Sequence, residues 1–264
     1  MPDVNNRNPR RGRERQPAAS GWVAHLPNLV TMTSLCSGFA GILMVMDGRF
    51  EHAALAILLC FLLDGIDGNL ARLTRSTSPL GAQLDSLVDV VAFGVLPSIL
   101  IFKWQLHDFG RVGALGAFAL VAGGVYRLAR FNVQSAVSKS VHFTGLPIPA
   151  AALALATLCL FWHSIEMGQQ ITQLLPGFCL ALCLLLALLM VSRVPYLSLK
   201  NPALIRAQLR AHPARWTMAV AGVAYLLGMR PWLVSFALIM AYGMSGPTAA
   251  LLASVRSMEE RPSV

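Results

Sequence analysis

Asp64-Gly65-Ile66-Asp67-Gly68-Asn69-Leu70-Ala71-Arg72 is followed, after eight intervening residues, by Gly81-Ala82-Gln83-Leu84-Asp85-Ser86-Leu87-Val88-Asp89. These acids and glycines interrupt two apolar runs, 53–71 and 82–102, each long enough to cross a bilayer as a helix. At ~100° per residue, Asp64 and Asp67 lie ~60° apart and Asp85 and Asp89 ~40° apart, so each pair projects from one helix face. The connecting stretch Leu73–Leu80 is short. The two helices are therefore antiparallel neighbours, with both pairs at one depth. An ionised Asp at a bilayer centre costs about 2.5–3.5 kcal/mol, and acids kept at such a cost face a bundle interior or a wet cavity and mark function.

The rest of the chain has the composition of a membrane protein. Of its 264 residues, 56% are hydrophobic and 12% charged, with a mean hydropathy of +0.61. Soluble domains carry about 25% charge, and disordered chains combine high charge with low hydrophobicity, so both classes are excluded. Apolar runs fall at 27–46, 53–71, 82–102, 112–131, 148–165, 171–192, 214–229 and 232–253. They are too unbroken for barrel strands and predict an all-α, polytopic protein of eight spans.

Net charge is +9, but the basic residues are spread over short loops, a pattern that fits a membrane surface and not nucleic acid. With the amino terminus in the cytoplasm, inner segments hold 17 of the 21 Lys and Arg and outer ones only Arg49, Lys103, Arg111 and Arg230. Both termini are then cytoplasmic. Residues 1–20, with Arg7, Arg10, Arg11, Arg13 and Arg15, read as a disordered basic tail. The run that follows is longer than a signal h-region and has no cleavage site, which predicts a retained span. The segment 193–213 carries three prolines and is expected to include a short interfacial helix around Ala203–Arg210. The five cysteines lie within apolar stretches with no metal-ligand spacing, and the six histidines at span ends or loops, so neither set reads as a site.

Four carboxylates in one small site repel one another, and two divalent cations cancel their charge. All-oxygen ligands suit Mg²⁺ or Mn²⁺. Gly65, Gly68 and Ala71 interleave with the acids and let a phosphate or nucleotide approach the helix closely. Arg72 offers phosphate oxygens a forked guanidinium. The competing structural reading pairs the aspartates with arginines as inter-helix glue. It does not account for four acids at i,i+3 and i,i+4 on neighbouring helices with glycines between. A divalent-cation transporter would distribute acids across the membrane depth, whereas both pairs here sit at one side.

The stretch from Asp64 to Asp89 resembles, at every fixed position, the signature of the CDP-alcohol phosphatidyltransferases, D-x-x-D-G-x-x-A-R-x8-G-x3-D-x3-D. The resemblance implies a six-helix core, here followed by two C-terminal spans. It also implies a homodimer whose two-metal site faces the cytoplasm and displaces CMP from a CDP-linked lipid. Residues 21–200 would form that membrane domain and 201–264 an interfacial segment with two further spans. Carried over by position, Asp64, Asp67, Asp85 and Asp89 would be metal ligands, with Asp89 also the general base. Gly68, Arg72 and Gly81 would meet the CDP moiety, and Ser78 its phosphates.

Three further stretches resemble the bacterial phosphatidylserine synthase branch of that family: Pro27-Asn28-Leu29-Val30-Thr31, Arg127-Leu128-Ala129-Arg130-Phe131-Asn132 and Phe143-Thr144-Gly145-Leu146-Pro147-Ile148-Pro149-Ala150. Ser34 departs from that branch, which often shows Asn there. The branch implies CDP-diacylglycerol as donor, L-serine as acceptor and a bacterial inner-membrane location. The rival acceptors are glycerol 3-phosphate, inositol phosphate and choline. Arg127 and Arg130, three residues apart at an inner span end, would share a face and hold the serine carboxylate. Asn132 is a further candidate contact.

Overall fold

The computed structural model describes residues 26–73, 79–137, 144–165, 169–194 and 225–259. The expected basic tail, Ser78, the interfacial helix at 203–210 and most of the run at 214–229 lie outside them. The architecture is all-α, as the hydropathy pattern predicts. Its helices are α1 (Leu26–Met46), α2 (Phe50–Leu73), α3 (Pro79–Asp89), α4 (Leu96–Ile101), α5 (Gly110–Val137), α6 (Ile148–His163), α7 (Gln169–Val191) and α8 (Pro231–Glu259).

Five helical stretches have the length and hydropathy to cross a membrane, and one of them, Leu80–Gln134, is 55 residues long. This stretch holds two of the expected spans. The first runs from α3 through a π-helical turn at Val90–Val95, α4 and a second π-helical turn at Phe102–Leu106. A 3₁₀ turn at His107–Phe109 then leads to Gly110, whose φ of +51° is open to glycine and strained for other residues. There the chain reverses into α5, and the backbones come so close that a Cβ at Gly113 would strike the Leu106 carbonyl. With the shorter apolar α6, seven of the eight expected spans fall in described residues; of the remaining one only 225–229 is seen, and it is helical.

The core runs along α6, where Ile148, Ala151, Ala152 and every residue from Ala154 to Leu160 are buried. A helix that is apolar all round belongs inside a bundle, and α6 packs against α2, α5 and α8. Around it lie Ile57, Phe93, Leu96, Leu100, Leu186 and Met190, all fully buried. The outer faces are the reverse of a soluble protein's, with Leu29, Phe39, Leu62, Leu115, Phe118 and Leu188 exposed. Lipid is the solvent these faces fit.

On α1 the buried residues are Pro27, Thr31, Ser34, Gly38, Gly41 and Val45, a small-residue stripe at helical spacing. A Cβ on Gly41 would stand 2.7 Å from Leu96 and 3.1 Å from Ala56, so this stripe is what lets α1 lie against both α2 and α4. α1 thereby lies along both α2 and α3.

Candidate metal and substrate centre

The aspartates occupy the last turns of α2 and the length of α3, at the end of the bundle where the two helices meet. On α2, the buried positions Ala53, Ile57 and Cys60 continue at the same spacing into Asp64 and Asp67, so the inward seam changes from apolar to acidic along one helix. On α3, Asp85 and Asp89 precede the buried Ala92, Phe93 and Leu96 in the same way.

The structure brings Asp64, Asp67 and Asp85 together: one carboxylate oxygen from each lies within 4.8 Å of the other two. Asp89 reaches the same cluster through a side-chain contact with Asp64. At an effective dielectric of 20, two ionised carboxylates that close repel by about 3.5 kcal/mol, so three pairs cost roughly 10 kcal/mol if nothing positive is present. Among the described residues, no lysine or arginine stands within ion-pair distance of the cluster.

Open space adjoins the acids. Among the described residues, a Cβ built on Gly65 or on Gly68 meets nothing within 4 Å, so their packing does not require glycine at either position. The volume a side chain would fill at each lies open beside the α2 acids. An all-oxygen donor set with no ion-pair partner among the described residues, beside such a cradle, fits a hard divalent cation with a phosphate next to it. Gly81 is half-buried near the start of α3. Ala71 and Arg72 lie on the last turn of α2, with their side chains outside the described residues.

A hydroxyl from α1 braces the cluster. Thr31 Oγ1 donates to Asp67 Oδ2 at 2.9 Å and also lies 3.0 Å from the Pro27 carbonyl. Both side chains are 5% exposed, so the bond is out of water. Thr31 belongs to the quoted Pro27–Thr31 stretch, yet spacing alone gave it no role, because its partner is 36 residues away on another helix.

The two arginines of α5 part company. Arg127 is 8% exposed, interacts electrostatically with Asp89, and among the described residues its buried Nε has no hydrogen-bond partner. Arg130 instead donates to three carbonyls: Nη1 to Val191 at 3.0 Å, and Nη2 to Thr144 at 2.9 Å and Ser192 at 3.0 Å. Its guanidinium also stands over the Tyr126 ring, 5.9 Å from the centroid. These bonds tie the end of α7 to the loop before α6. At that loop Gly145 has φ +82°, and a Cβ there would stand 2.8 Å from Arg130 Nη2. Asn132 Nδ2 donates to Ser86 Oγ at 3.0 Å, joining α5 to α3 between the two α3 aspartates.

The family model for CDP-alcohol phosphatidyltransferase matches residues 24–191, from just before α1 to the end of α7. The chain is 39% identical over 179 residues to a CDP-diacylglycerol–serine O-phosphatidyltransferase of Helicobacter pylori, covering 66% of this chain and 73% of that one. It is 39% identical over 145 residues to an archaetidylserine synthase of Methanothermobacter thermautotrophicus, covering 54% and 61% respectively. A CDP-diacylglycerol–serine O-phosphatidyltransferase of Bacillus subtilis is 32% identical over 144 residues, covering 54% and 80%. Extent of match, identity and the arrangement of the aspartates agree: this chain belongs to the CDP-alcohol phosphatidyltransferase family.

Proposed function

We propose that the protein transfers the phosphatidyl group of CDP-diacylglycerol to the hydroxyl of L-serine, releasing CMP and forming phosphatidylserine for phospholipid synthesis. The observation that carries this reading is the meeting of the α2 and α3 carboxylates beside the open cradle at Gly65 and Gly68. Similarity to serine-using relatives supports the acceptor.

Asp64, Asp67, Asp85 and Asp89 would hold two divalent cations, Mg²⁺ or Mn²⁺, which when bound supply positive charge to the diphosphate and its leaving group. Gly65, Gly68 and Ala71 give the CDP moiety close access to α2. Arg72 forks onto phosphate oxygens, and Ser78 before α3 and Gly81 on its first turn complete the contacts to the CDP moiety. Asp89 accepts the serine hydroxyl proton as that oxygen attacks the lipid-linked phosphorus. One P–O bond forms to serine, and the P–O bond to CMP breaks.

Arg127, next to Asp89 with an N–H to spare, binds the serine carboxylate. Arg130 supports the site indirectly, by fixing the loop at Thr144, and Asn132 holds Ser86 and so the α3 face. The positive-inside pattern supports a site and both termini in the cytoplasm, and the resemblance to the bacterial phosphatidylserine synthase branch supports a bacterial inner-membrane location. The family supports a homodimer. Residues 1–20 then form a cytoplasmic basic tail, 21–200 the catalytic membrane domain and 201–264 an interfacial segment with two spans.

The test is CMP release by purified protein given CDP-diacylglycerol with serine, glycerol 3-phosphate, inositol phosphate or choline in turn. Serine alone is expected to support turnover, and a chelator to abolish it. Turnover with another acceptor and not with serine refutes the acceptor, and full activity in chelator refutes the metal centre.

A further inference from the structure

α8 lies beyond residues 24–191, which the family model covers. It packs along α6, and Trp232, Phe236, Ile239, Met240 and Tyr242 rest against the core. The next residue, Gly243, sits over Leu146, where an added Cβ would come within 3.8 Å of the leucine side chain. That places this part of α8 against the Thr144–Leu146 loop that Arg130 pins. The Tyr242 phenol of α8 interacts electrostatically with Arg127, whose neighbours among the described residues also include Arg130 and Asp89.

Arg127 is thus a nine-tenths buried cation with a donor left over. A buried donor without a partner is costly, the more so on a charged group. Asp89 and Tyr242 are both electrostatic neighbours of this guanidinium. A molecule bearing a hydroxyl and a carboxylate a few bonds apart fits this set of groups, with its hydroxyl given to Asp89 and its carboxylate to guanidinium and phenol. An acceptor phosphate, with more charge and more oxygens, would call for more cations than one. Arg130 is already spent on three backbone carbonyls.

We propose that Tyr242 and Arg127 together form the carboxylate subsite for the acceptor, so that a residue of the C-terminal helix, outside the segment matched by the family, takes part in acceptor selection. The inference rests on the serine reading given above. The phenol O–H donates to one carboxylate oxygen and the Arg127 guanidinium to the other.

The experiment is steady-state CMP release by full-length Tyr242→Phe, with serine and CDP-diacylglycerol varied separately. The ring stays and only the hydroxyl goes, so the packing of α8 is retained. Loss of one hydrogen bond to a carboxylate predicts a rise of about tenfold or more in KM for serine. KM for the CDP-lipid and kcat should stay within about twofold. Tyr242→Leu should raise the serine KM at least as much. If both variants keep the parental serine KM while Arg127→Gln raises it, Tyr242 has no part in the subsite and the inference is overturned. Equal rises in both substrates' KM values also overturn it, because they signal disturbed packing. If Arg127→Gln, verified as folded by size-exclusion chromatography, leaves serine KM unchanged, the carboxylate does not bind at Arg127 and the inference is overturned, whereas a parent that turns over another acceptor and not serine overturns the serine reading instead.

Discussion

Replacing Thr31 with valine removes one hydroxyl and keeps the volume and branching of the side chain. The loss is concentrated on Asp67 Oδ2, which accepts that hydroxyl at 2.9 Å with both groups 5% exposed. Water cannot easily replace the donor at such burial. Hydrogen bonds to charged groups contribute about 1.5–3 kcal/mol. The Thr31 proton is shared with the Pro27 carbonyl at 3.0 Å, which argues for the lower end. About 1.5 kcal/mol is roughly a tenfold change in an equilibrium constant, within the range of about 10–100-fold seen when partners of metal ligands are removed. The assay is CMP release as Mg²⁺ or Mn²⁺ is titrated at saturating substrates. Thr31→Val should need about tenfold more metal for half-maximal activity while approaching the parental maximum, and Thr31→Ser should restore the curve. A Thr31→Val curve that overlays the parent would refute the bracing role, and so would a Thr31→Ser curve displaced as far as that of valine.

Asp89→Asn should abolish turnover while the protein still binds CDP-lipid, measured by nucleotide competition; near-normal turnover would remove Asp89 as the base. Gly68→Leu should leave thermal stability in detergent within a degree or two, ~0.5 kcal/mol, because the volume over Gly68 is open. The same variant should raise KM for CDP-diacylglycerol severalfold or more, and an unchanged KM would mean that the cradle is not where the nucleotide lies. Arg130→Gln severs the links from α5 to Val191, Ser192 and Thr144. It should cost about 3 kcal/mol of stability, read as a lowered melting temperature, and a melting temperature equal to the parent's would show those bonds to be unimportant.

What was legible in the sequence was whatever is periodic along one helix. Asp64 with Asp67, and Asp85 with Asp89, had to share faces because i,i+3 and i,i+4 neighbours always do, and a short connection made their helices neighbours. The same reasoning put Arg127 and Arg130 on one face but could not give their partners. They are three residues apart, yet long side chains near a helix end swing to different partners, one toward Asp89 and the other to the carbonyls at the end of α7. The Thr31–Asp67 bond joins residues on different helices and no periodicity announces it. Tyr242 was hidden for a related reason: it is one polar ring in an apolar run, and its significance comes from what α8 packs against.

The acids also explain why the site is at a bundle end and not midway. On α2 the buried row 53, 57, 60 runs on into 64 and 67, and on α3 the row from 85 and 89 runs on into 92 and 96. A single inward seam thus serves as packed core over most of its length and as ligand at its wet end. Carboxylates placed a few turns deeper would replace Ile57 and Phe93, which are fully buried against α6, and would lose both solvent and room for substrate. Placed further out, they would lose the bracing hydroxyl from α1. The π-helical turn that begins at Val90, directly after Asp89, marks where the helix changes from one duty to the other. Such turns recur at functional sites because they re-aim side chains without breaking the helix. Here the widened turn lets Phe93, Leu96 and Leu100 all enter the core while Asp85 and Asp89 keep facing α2. The acidic geometry is therefore a property of the packed core beneath it, and the core residues that never meet substrate still set where the four carboxylates stand.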